Sequence, residues 1–68
     1  MISDKAVRIA TRDGFVSEFW HDLNVRRVAG EDVTHQDVYE DLSRLYEGTF
    51  GRPQFSSFDA FRKYRDRH

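Results

Sequence analysis

The residues of this chain with chemistry to offer are three histidines, a scatter of carboxylates, a few hydroxyls and a basic C-terminal segment. His21, His35 and His68 are the candidate metal ligands. No two of them share the i, i+3 or i, i+4 spacing that sets two ligands on one helix face, and no cysteine is present to complete a set. The spacing predicts no metal centre. Acid–base catalysis would draw on Glu31, Asp32, Asp37, Glu40 and Asp41. A working pair needs two environments that push its pKa values apart, usually by burial, whereas Asp37, Glu40 and Asp41 fall on the outer side of a helical wheel.

Nucleophilic catalysis needs a hydroxyl with a base in reach. Ser3, Thr34 and Ser56 instead sit where helices begin, as capping residues do. The glycine-containing stretch "EGTFGRP" lacks the Lys-Ser/Thr of a P-loop and the spacing of a dinucleotide fingerprint. These readings together predict a non-enzymatic protein with no cofactor and no small-molecule substrate.

Two binding readings remain. The closing segment "PQFSSFDAFRKYRDRH" carries Arg62, Lys63, Arg65 and Arg67, with Arg52 just before it, and these five are the candidate nucleic-acid-binding residues. Residues 1–49 hold six basic and ten acidic side chains, residues 50–68 five and two, so positive charge collects at the C-terminal end. Two consecutive helices with a basic second one are helix-turn-helix-like in outline. The connection, about eight residues in "GTFGRPQF", exceeds the three or four of that motif. The same cations would also complement the negative end of their own helix dipole. For protein contact, the candidates are Val25, Val28, Phe50 and Phe55, apolar residues off the predicted core faces or in the connection. Exposed apolar patches on small domains mark partner surfaces or dimer seams. The alternative is that all ten aromatic rings are core.

The elements that must position these residues are helices. In "VTHQDVYEDLSRLYEGTFG", Thr34 and Asp37 have the form of a capping box and Val33 and Val38 that of a hydrophobic staple. At 100° per residue Val38, Tyr39, Leu42, Leu45, Tyr46 and Thr49 share one face. Gly48 or Gly51 then ends the helix, and Pro53 blocks its continuation. Ser56 with Asp59 repeats the box, Phe55 precedes it as a staple residue, and Phe58, Phe61 and Tyr64 recur at helical spacing over about 56–66. Asp59 to Lys63 and Arg62 to Asp66 are opposite charges four apart on its outer side. Val16, Phe19, Trp20 and Leu23 mark a further helix over about 15–24, running on as far as Ala29 if Asn24 does not end it.

Residues 3–13 fit a short helix capped by Ser3, with Ile2, Ala6, Ile9 and Ala10 inward and an end at Gly14. They also alternate, and Asp13-Gly14 is a hairpin signal. A lone hairpin is marginal in water, so the helix is preferred.

The chain has 68 residues, and a domain of that size hides only about 60% of the surface its unfolded form exposes. Six Phe, three Tyr and one Trp must supply the apolar area that disulfides supply in other small folds. The expected fold is one small all-α domain over 1–68: three to four short helices, with an N-terminal hairpin plus three helices as the alternative. The expected core is aromatic-rich: Phe15, Phe19, Trp20, Leu23, Val38, Leu42, Leu45, Tyr46, Phe58 and Phe61. Charges at Asp4, Lys5, Arg8, Arg12 and Asp13 break any signal-peptide core, and no stretch approaches the length of a membrane span. A cytoplasmic protein with no membrane partner is the expectation. Its expected role is a binding module acting through protein contact or homodimerisation, with DNA binding by the basic C-terminal helix as the second reading.

Overall fold

Hydroxyl side chains set the helix starts, and the structure, a computed structural model that describes residues 3–67, has four helices and no strand among those residues. Helix α1 is Asp4–Arg8, with Ser3 Oγ accepting from the Ala6 N–H at 3.1 Å. Helix α2, Arg12–Val28, starts at Thr11, whose Oγ1 accepts from the Gly14 N–H at 3.0 Å. Helix α3 is His35–Phe50, and its capping box is complete: the Asp37 N–H donates to Thr34 Oγ1, and the Thr34 N–H donates to Asp37 Oδ2. Helix α4 is Phe58–Asp66. Each cap satisfies one of the donors that a helix start leaves without a partner.

The preferred short helix capped by Ser3 is present, and the alternative hairpin is not formed. Residues 3–13 instead make α1, a corner at 9–11, and the first turn of α2. Gly14 does not end a helix; it lies inside α2 because the corner brings backbone against it. A Cβ added there would sit 2.0 Å from the Arg8 carbonyl oxygen, a close approach that only glycine permits. Ile2, expected to face the core, lies outside the described residues, as does His68.

The start of α4 is also shifted. Ser57, not Ser56, is its N-cap, accepting from the Ala60 N–H at 3.1 Å. Phe55 is consequently not a staple residue at the rim. It is 6% exposed and inserts edge-on against Phe15 and Phe61 at 5.4 and 5.3 Å between centroids. Tertiary burial of this ring outweighs the local box, since the two adjacent serines cap almost equally well.

Phe61 is the hub of the core. It is fully buried, with Phe15, Phe19, Tyr39 and Phe55 around it at 4.9–5.5 Å and Phe58 stacked at 6.3 Å. Ile9, Val16, Leu23, Val38, Leu42 and Tyr46 complete the cluster, with Leu45 and Phe58 only partly buried against it. Trp20, expected in the core, lies outside it. The connection 51–57 is fastened at its start and at its middle. Gly51 takes the left-handed conformation, φ 80°, and its N–H donates to the Glu47 carbonyl at 2.8 Å. Gln54 Nε2 donates to the Ala10 carbonyl at 3.1 Å and the Ile9 carbonyl at 3.4 Å, pinning the connection to the α1–α2 corner. Ion pairs join the outer edges, Lys5 to Asp22 at 2.6 Å and Arg26 to Asp41 at 2.7 Å. Among the described residues no helix is long and apolar enough to cross a membrane.

Candidate functional site

The outer face of α2 is unlike the other outer faces. Its core stripe is Phe15, Val16, Phe19 and Leu23. Opposite them, beyond the first turn with its Asp13 and within an arc of about 140° at 100° per residue, stand Ser17, Trp20, His21, Asn24, Val25 and Val28, all exposed. None of these six is Asp, Glu, Lys or Arg, in a chain where 34% of residues are. By contrast the outer side of α3 carries Asp37, Glu40, Asp41, Arg44 and Glu47, and that of α4 carries Asp59, Arg62, Lys63 and Asp66. Val25 is 50% and Val28 80% exposed.

Trp20 anchors this face. Its indole remains 45% exposed yet is held from beneath on three sides. It meets Phe19 edge-on at 5.0 Å and 70°, and His35 at 5.6 Å and 89°. The Arg65 guanidinium lies 5.7 Å from its ring centroid, within the range of cation–π attraction. Arg65 is itself fixed: Nη1 donates to His35 Nδ1 at 2.8 Å, and Nη2 pairs with Asp66 Oδ1 at 3.1 Å. Because a guanidinium can only donate, His35 Nδ1 must accept, which puts the neutral ring's proton on Nε2. Burial, and then the positive charges of Arg65 and Arg27, hold the His35 pKa below its ordinary value. The ring is therefore kept neutral as a support under Trp20.

The sequence-derived candidates fall apart into separate places. Val25 and Val28 are on the α2 face. Phe50 closes the last turn of α3, its ring tilted at 39° against Tyr46 at 4.5 Å and partly open to solvent. Phe55 is core and presents no surface to a partner. Of the five basic candidates, Arg65 is turned inward, its side chain 12% exposed. Arg62 pairs with Asp59 at 2.8 Å, three residues back, replacing both expected pairs at i, i+4. Arg52 is exposed in the connection, and Lys63 and Arg67 are exposed on α4 and at its C-cap. The basic residues thus do not form one row along α4.

A shallow concavity of about 400 Å³ at the edge of this face, toward α1, is lined by Arg8, Ser17, Glu18 and His21. It holds a hydroxyl, a carboxylate and an imidazole, the residue types of nucleophilic catalysis. Glu18 is buried, but its Oε2 accepts from Arg8 Nε at 3.2 Å, and no hydrogen bond links Ser17, Glu18 and His21 among the described residues. The nucleophile-to-base contact on which such chemistry depends is absent from that trio. No group of three or more His, Asp or Glu side chains converges among the described residues.

Sequence reasoning missed Trp20 as a surface residue. Its position 100° from Phe19 on the wheel was the available signal, but the supports beneath it come from α3 and α4, 15 and 45 residues along the chain. It also missed Arg12, whose partners lie on α4 and in the connection before it. Comparison with protein-family models, with curated proteins and with solved structures finds no match for this chain.

Proposed function

We propose that this protein is a non-enzymatic binding module that packs the outer face of α2 against another protein surface, a second copy of the chain being the simplest partner. The single observation that carries the reading is the uncharged exposed stripe from Ser17 to Val28 with a braced, half-open tryptophan in it. Depletion of charge with aromatic enrichment is the compositional mark of interface cores. A tryptophan whose rotamer is already fixed loses little entropy on binding, which is why such residues dominate interface energetics.

The stripe sets the strength. Ser17 to Val28 spans about 17 Å of helix at 1.5 Å per residue, so a single-helix contact falls at the small end of specific interfaces, below about 1,200 Å² in total. Association is weak and concentration-dependent. Sedimentation equilibrium tests it: the apparent mass should rise above 8.1 kDa with concentration, and the Val25→Asp/Val28→Asp double variant should return it to the monomer value. Both valines are exposed, so the variant keeps its fold. A wild type that stays monomeric throughout, and behaves identically to that variant, would overturn the reading.

A further inference from the structure

The eleven basic side chains divide into two groups. Lys5, Arg8, Arg26, Arg44, Arg62 and Arg65 each pair with a carboxylate. Arg12, Arg27, Arg52, Lys63 and Arg67 form no ion pair among the described residues. Three of these five, Arg12, Lys63 and Arg67, meet at one open cleft of about 390 Å³ between the start of α2, the connection and the flank of α4 that carries Ala60, Lys63 and Tyr64. No described carboxylate lines it. Cations in the last turn of α4 are explained in part by their own helix dipole, but that cannot account for Arg12, which arrives from a helix more than fifty residues earlier. Convergence of like charges from distant segments costs free energy that an anion would recover.

The cleft is also built to hold a charge in place. The Arg12 guanidinium lies over the Phe55 ring at 5.8 Å and the Tyr64 ring at 6.0 Å, so its planar fork is oriented before anything binds. Gln54, which also lines the cleft, is held by its bonds to the Ile9 and Ala10 carbonyls. Ser56 adds a hydroxyl at the rim. The nearby carboxylate, Asp13, accepts from the Tyr64 hydroxyl at 2.6 Å and does not line the cleft.

We propose that this cleft binds the dianion of a phosphate monoester, with the Arg12 and Arg67 guanidiniums and the Lys63 ammonium as its charge partners and the Ser56 hydroxyl as a further donor. Two guanidinium forks and one ammonium around a single concavity suit a compact, multiply charged oxyanion. They suit a duplex less well, because a phosphodiester backbone presents a line of charges and needs a row of cations. Arg62, held by Asp59, and Arg65, turned to His35, do not extend the cluster into one.

The site is independent of the α2 face, and the test keeps the two apart. Inorganic phosphate and free O-phosphoserine are titrated separately into the ¹⁵N-labelled full chain at constant ionic strength, with sodium chloride as the control. Saturable amide shifts centred on Arg12, Ser56 and Lys63 are expected with both phosphates, and Lys63→Gln should weaken them about threefold to tenfold. Lys63 makes no hydrogen bond or ion pair among the described residues, so this variant leaves the fold intact by circular dichroism. The Val25→Asp/Val28→Asp variant should bind phosphate as the wild type does. Shifts that fail to saturate, or that chloride reproduces, would overturn the site. So would a random 20-base-pair duplex that binds with a steep salt dependence while neither phosphate probe saturates, which would make the surface one for nucleic acid.

Discussion

Replacing Phe61 with alanine puts the hub of the core to the test. The ring is fully buried and touches five other rings, from α2, α3, α4 and the connection. Truncating a buried Phe typically costs about 3–5 kcal/mol through lost transfer energy and the cavity left behind. A 68-residue domain at about 0.05–0.15 kcal/mol per residue has only about 3–10 kcal/mol in total. The substitution therefore removes between a third and all of the stability. At about 4–8 °C per kcal/mol for a domain this size, the thermal midpoint should fall by at least about 12 °C, or the folded state should be lost. Helix α4, nine residues long, is too short to persist without that contact, and Arg65 would leave Trp20 with it.

Phe50→Ala is the matched control, since that ring keeps a third of its surface in water and, among the described residues, has Tyr46 as its one ring neighbour. It should cost about 1 kcal/mol or less, as partly exposed positions usually do. Circular dichroism melts of both variants, read beside tryptophan fluorescence, decide the matter. Equal midpoints for Phe61→Ala and Phe50→Ala, or a loss under about 4 °C for the former, would refute the hub assignment.

Further outcomes follow from single residues. His35 is held below its ordinary pKa of 6.5 by burial and by Arg65 and Arg27, so the unfolded chain takes up its proton first as pH falls. Its contribution is complete above pH 6.5 and declines as pH drops through the interval beneath, and His35→Gln should flatten that part of a urea-midpoint-against-pH curve; an unchanged curve would contradict the assignment. Gly48 lies in α3 with open space where a Cβ would go, whereas Gly51 has φ 80°. Gly48→Ala should raise stability by about 0.5–1 kcal/mol and Gly51→Ala should lower it by a similar amount or more, read as opposite shifts in the thermal midpoint. Thr34→Ala removes the acceptor for the Asp37 N–H and should cost about 1 kcal/mol in the same melt.

What could be read in the sequence was local, and what could not was set by contacts far along the chain. The α3 start was legible because Thr34, Asp37, Val33 and Val38 act within one turn, and its end because Gly51 takes the left-handed conformation its type allows. Gly14 shows the limit. A glycine beside an aspartate signals a turn, but here it serves the close passage of the Arg8 carbonyl at the α1–α2 corner, a demand only six residues away that the residue types do not mark. Ser56 and Ser57 were locally interchangeable, and burial of Phe55 chose between them. The five basic residues read as one candidate set because they lie close together in sequence. Folding sends Arg65 inward to His35, ties Arg62 to Asp59, and sets Lys63 and Arg67 beside Arg12.

The central claim, that the α2 outer face is a contact surface, is tested most directly by Trp20, the single tryptophan in the chain. Acrylamide quenching of its fluorescence, measured from about 1 µM to about 1 mM protein, spans the affinities expected of a small interface. The account predicts ready quenching at the dilute end, as befits a half-open indole, and a progressive loss of quenching with a blue-shifted emission as copies meet. The Val25→Asp/Val28→Asp variant should stay quenchable throughout. Quenching that is the same at every concentration, and the same in that variant, would contradict self-association through this face.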